Sequence, residues 1–151
     1  MPDAGAPILA EDSNPWVIVS RFRDSTSGAI STSEAVEGTA TISIPAYWNT
    51  YDLDAIALCR IIPFNSPSGN STITHQLKLG TTTGGTSGGV SSSQVGSTAP
   101  DSTEPGSLGG DWTGLTSTGT VSVVWTMVSS SGNNTWGWDD ISIKLIASRT
   151  S

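Results

Sequence analysis

Apolar and polar residues alternate with a period of two along most of this chain, and that period predicts strands. Residues 15–22, PWVIVSRF, set Trp16, Ile18 and Phe22 against Val17, Val19 and Arg21. RDSTSG then reads as a turn, and GAIST as a short edge strand. Residues 39–47, TATISIPAY, place Ile42 and Ile44 beside polar partners, and Pro45 removes a ladder donor, which puts this strand at an edge or at its end. Residues 53–62, LDAIALCRII, are apolar on both faces: Leu53, Ala55, Ala57, Cys59 and Ile61 on one, Ile56, Leu58 and Ile62 on the other. That pattern predicts a strand covered on both sides, and Pro63 argues against a helix. Residues 71–79, STITHQLKL, send Ile73, His75, Leu77 and Leu79 inward. Residues 120–128, TVSVVWTMV, and 136–147, WGWDDISIKLIA, are the clearest strands, joined by SSSGNN as a hairpin-type connection.

Between them lies residues 80–111, in which Val90, Val95 and Leu108 are the sizeable aliphatics among Gly, Ser and Thr. The pattern predicts a long loop that is either disordered or ordered on a neighbouring subunit. Residues 1–14 read as an extended arm. The expectation is one domain, residues 15–151: an all-β antiparallel sandwich of six strands and two weaker candidates. A jelly roll is the favoured topology, and an immunoglobulin-like Greek key is the alternative.

Composition narrows the function. Of 151 residues, 25 are Ser, 20 are Thr and 17 are Gly, while charged residues make up 13%. The net charge of -7 argues against nucleic acid, which calls for a basic face. One His and one Cys exclude a multi-cysteine zinc site and an internal disulfide. The first ten residues, MPDAGAPILA, carry no basic segment and no apolar run of a secretory signal, and no window approaches a membrane span. The expectation is a protein made in a cytoplasm, with no membrane partner.

Candidate chemistry is thin. His75 falls on an apolar strand face and reads as a core histidine, and Cys59 reads as a small buried hydrophobe. No nucleophile elbow, phosphate loop or zinc-protease motif is present. Asp52 and Asp54 share a face, and Asp139 and Asp140 are adjacent. With Ile141 and Ile143 inward, period two carries Asp139 inward and leaves Trp136, Trp138 and Asp140 outward. An inward carboxylate needs backbone amides, a cation partner or a metal such as calcium. Outward Trp136 and Trp138, with Trp48, Tyr51 and Trp112 in loops, are candidates to stack on sugars or to be buried by another subunit.

The ending WGWDDISIKL resembles the last strand of jelly-roll carbohydrate-binding modules, and this likeness implies a structural calcium at Asp139 or Asp140 and a sugar ligand. The Asn-Gly-Gly-Phe-Glu-like opening of that family is missing here. In length, acidity, hydroxyl content and layout the whole chain also resembles the decoration or cement proteins of tailed-phage capsids. That likeness implies a non-enzymatic virion protein on the capsid surface, a homotrimer that binds the major capsid protein. The carbohydrate-binding or phage adhesion module is the alternative.

Overall fold

The computed structural model describes residues 16–63, 70–95, 104–130 and 136–151. The arm 1–14, most of the SSSGNN connection and residues 96–103 of the 80–111 segment lie outside the described residues. Eight strands follow in order: β1 (Val17–Ala29), β2 (Ala35–Ile44), β3 (Tyr51–Pro63), β4 (Ser71–Leu79), β5 (Thr86–Val95), β6 (Glu104–Leu115), β7 (Gly119–Ser129) and β8 (Trp136–Arg149). No helix occurs among the described residues.

The pairing is nested. β4 pairs with β5, β3 with β6, β2 with β7 and β1 with β8, all antiparallel. The chain is thus one long two-stranded ribbon, folded back at the β4–β5 end. The ribbon then rolls up, so that β8 also pairs with β3 and β7 with β4. The result is two four-stranded sheets, β1-β8-β3-β6 (the first sheet) and β2-β7-β4-β5 (the second). This is the strand order of a jelly roll, and it resolves the choice between the two sandwich topologies.

The core lies between the sheets and comes from alternate residues. β3 gives it Tyr51, Leu53, Ala55, Ala57, Cys59 and Ile61; β7 gives Val121, Val123, Trp125 and Met127; β8 gives Ile141, Ile143, Leu145 and Ala147. His75 is buried between Ile73 and Leu77, as its alternation predicts. β2 ends at Ile44, just before Pro45, and the Trp48 amide donates back to the Pro45 carbonyl at 3.1 Å. Two expectations fail. RDSTSG is not a turn: β1 runs through it to Ala29, with an irregularity in pairing between Asp24 and Ser27. β3 is not covered on both faces, because a two-layer sandwich covers each sheet on one side only. Ile56 and Leu58 are 47% and 52% exposed on the outer face.

The long loop of residues 80–111 is also corrected. Its described part is largely β5 and β6, the edge strands that close one side of the sandwich. Their glycines are there for space. A Cβ at Gly88 would sit 2.4 Å from the Trp112 ring, and one at Gly89 would sit 2.0 Å from the Gly109 carbonyl oxygen. Trp112 seals the seam, and its indole N–H donates to the Thr86 carbonyl at 3.0 Å. The segment lacks bulky side chains because two backbones pass close together there. Ladder hydrogen bonds within the subunit then offset the ordering entropy that seemed to demand a neighbour.

Candidate assembly surface

Four tryptophans expected as sugar platforms or interface anchors are inside the protein. Trp48, Trp112, Trp136 and Trp138 are 2%, 7%, 1% and 5% exposed. The physical reason for the β8 pair is a β-bulge. Leu58 faces Ser142 while Arg60 faces Asp139, so β8 spends one residue more than β3 over that span. Asp140 adopts φ 53°, in the left-handed region that Asp tolerates better than most residues. The extra residue reverses the alternation. Trp136 and Trp138 share the inner face with Ile141 and Ile143, and both aspartates turn outward.

Asp139 therefore does not point inward. It is ion-paired with Arg60 across the sheet. Asp140 pairs with Arg23 at 2.8 and 3.1 Å, a two-pronged contact that holds its carboxyl below the usual carboxylate range, chiefly by the hydrogen bonds from Arg23. Two guanidiniums at this spot give a calcium ion no support, and among the described residues no group of three or more His, Cys, Asp or Glu side chains gathers as a metal site. The Trp138 indole N–H donates to the Glu37 carboxylate at 2.7 Å. Burial raises the Glu37 carboxyl, and that hydrogen bond opposes the rise.

The sole imidazole and the sole thiol are sealed from solvent. Burial lowers His75 to about 4 and raises Cys59 to about 12. A neutral imidazole and an un-ionised thiol in the core are poor reagents for general base or nucleophilic work.

Exposed chemistry collects instead on the outer face of the first sheet. Four of the chain's six cations are there: Arg21 and Arg23 on β1, Lys144 on β8 and Arg60 on β3. Val17, Val19, Ile56 and Leu58, between 45% and 53% exposed, stand on the same face. The register orders them in rows. Val19, Ile146, Asp54 and Asp111 lie side by side across β1, β8, β3 and β6. The next row is Arg21, Lys144, Ile56 and Gly109, and the one after it is Arg23, Ser142, Leu58 and Ser107. A shallow groove of about 250 Å³ opens among Arg21, Arg23, Ile56, Leu58 and Lys144. An apolar diagonal thus runs from Val19 through Ile146 and Ile56 to Leu58. Arg21, Lys144, Arg23 and Arg60 lie on one side of it, the last two paired there with Asp140 and Asp139, and Asp52, Asp54 and Asp111 lie on the other. Asp54 and Asp111 face each other directly, a like-charge pair that weakens the isolated subunit.

The sequence pattern had shown Ile56, Leu58, Val17 and Val19. Reading β3 as doubly covered hid their meaning, and the arrangement of charges needed the strand register.

On the second sheet the outward Val124 and Thr126 are buried, beneath a local network. Lys78 Nζ pairs with Glu34 at 2.7 Å and donates to the Thr83 carbonyl, and Thr126 donates to Glu34 at 2.7 Å. At the far end Arg149 lies over the rings of Trp16 and Tyr47, at 4.7 and 5.2 Å.

No protein-family model and no curated protein matches the chain. Similar solved structures include dimeric latent PorU from Porphyromonas gingivalis, 9% identical, with 88% of this chain aligned at a TM-score of 0.49; the chain spans 13% of that protein's length. A protein of the disulfide-linked pili formed by Bacillus endospore appendages is 10% identical, covering 97% of this chain and 99% of its own, with a TM-score of 0.41. A Desmodium yellow mottle tymovirus protein is 14% identical, covering 99% and 94%, with a TM-score of 0.38.

Proposed function

We propose that this chain is a non-enzymatic structural protein of a virion, a decoration or cement subunit that binds the shell built by a major capsid protein and stabilises it. The observation that carries this reading is the outer face of the first sheet. It is a broad surface on which exposed aliphatics, four of the six cations and the carboxylates of Asp52, Asp54, Asp111, Asp139 and Asp140 are arrayed along four paired strands. A protein with no partner gains nothing from leaving Val17, Val19, Ile56 and Leu58 in water on one side. The hydroxyl-rich, weakly charged remainder suits wet, hydrogen-bonded contacts. The burial of His75 and Cys59 further supports a role without chemistry at those groups. The carbohydrate-binding alternative loses its proposed platforms, since Trp48, Trp112, Trp136 and Trp138 all pack inside.

The test is co-sedimentation of the purified chain with capsid shells assembled from the major capsid protein of the same genome, followed by thermal melting of the shells. Saturable binding with a raised shell melting temperature is expected. Failure to pellet with shells, together with retention on a glycan array, overturns the proposal in favour of sugar binding.

A further inference from the structure

We infer that the outer face of the first sheet docks a second copy of this chain about a two-fold axis running through Ile146 and Ile56. The inference deepens the structural reading above and rests on it, but the pairing has its own geometric support. Adjacent strands lie about 4.8 Å apart, and successive outward residues on one strand about 6.8 Å apart. On that grid Ile146 and Ile56 are diagonal neighbours, one on β8 in the Val19 row and one on β3 in the Arg21 row. An isologous face-to-face contact maps each point of the surface to its mirror position across the axis. With the axis along the Ile146–Ile56 diagonal, each of these isoleucines meets its own equivalent. Lys144 then falls over Asp54 of the second copy and Arg21 over Asp111 of the second copy, each within about 3 Å in the plane of the sheet on this grid. Leu58 falls over Gly109, where no side chain stands in the way. The strands of the two copies cross at about 70°, within the range between aligned and orthogonal sheet packing.

The charges make the choice of occupant. Among the described residues none of Arg21, Lys144, Asp54 and Asp111 has an ion-pair or hydrogen-bond partner within its own subunit, whereas Arg23, Arg60 and Lys78 do. The two unpaired cations and the two unpaired carboxylates lie on opposite sides of one apolar diagonal. Pairing the copies relieves the like-charge contact of Asp54 with Asp111 and brings both free cations to it. The overlap of two four-stranded faces crossing steeply is about 20 Å by 20 Å, or some 400 Å² a side. That is about half of a standard interface, so the isolated dimer is weak and salt-sensitive. Arrayed on a shell, the same contact is strengthened by high effective concentration.

The experiment is sedimentation velocity of the full chain from micromolar to near-millimolar concentration, with three variants: Lys144→Glu, Asp54→Lys and the two combined. The expected result is a monomer–dimer equilibrium whose dissociation constant rises at least about tenfold in each single variant and returns to within about threefold of the parent in the double variant. All four proteins should show the same far-UV circular dichroism. If a single variant misfolds, Arg21→Glu with Asp111→Lys repeats the cycle on the second pair. A monomer at every concentration overturns the inference. So does an oligomer that neither single variant weakens, or a double variant no better than the singles. Shell co-sedimentation of monomeric Lys144→Glu separates the two readings. Binding by the monomer keeps the decoration role whatever the fate of the dimer, and a dimer that never binds shells keeps the pairing and discards the decoration role.

Discussion

Asp140 shows how much one backbone angle decides. Its φ of 53° takes up the extra residue of β8, and the two tryptophans before it face the core as a result. Glycine adopts this conformation freely, whereas a β-branched residue is strained in it by roughly 1–2 kcal/mol. The Arg23 ion pair is exposed and contributes little. Asp140→Gly should therefore leave the melting temperature close to the parent's, and Asp140→Val should lower it by several degrees in a thermal scan. No pattern of residue types announces such a bulge. Strict alternation carried back from Ile143 is the correct default, and it fails here at a single residue. His75, by contrast, was legible from alternation alone. Its imidazole titrates near 4 in the folded protein and near 6.5 when unfolded. Between those values only the unfolded state takes up the proton, so the stabilisation is whole above 6.5 and drains away as pH falls towards 4, by up to roughly 3 kcal/mol. Urea titrations at a series of pH values should show this slope, and His75→Leu should flatten it.

At the scale of elements, β5 and β6 carry the main discrepancy with the pattern along the chain. Strands are recognised by large alternating side chains, and these two have few of them. What they contribute is closeness: Gly88 against Trp112, and Gly89 against the Gly109 carbonyl. The same Gly-Gly pairs read as flexibility in one dimension and as packing in three. Gly88→Ala should destabilise the protein by about 1–3 kcal/mol, because its Cβ collides with a ring that is itself held by Thr86. Thermal or urea unfolding measures this directly, with Gly114→Ala as a contrasting variant in which φ 64° supplies strain but no neighbour crowds the Cβ. β4, β7 and the inner face of β3 were legible, because a sandwich core rewards period two and their inward residues are large; the outer face of β3 was misread as covered. With β5 and β6 paired inside the subunit, their order needs no neighbouring chain.

For the whole molecule, the asymmetry between its two outer faces is the feature that bears on function. The second sheet covers its outward Val124 and Thr126 with Glu34 and Lys78 from the same chain. The first sheet leaves Ile56 and Leu58 open, between basic and acidic flanks. Composition suggested an assembly protein in general terms, but the face proposed for that role takes shape only once β1, β8, β3 and β6 are laid side by side. The claim that this face is the working surface can be tested by hydroxyl-radical footprinting of the chain, dilute and alone, and again within assembled particles. Side-chain oxidation should fall at least about fivefold at Ile56 and Leu58 on assembly, while Val90, exposed on the second sheet, keeps its rate. Equal oxidation of Ile56 and Leu58 in the two states, or protection confined to Val90, would contradict the account.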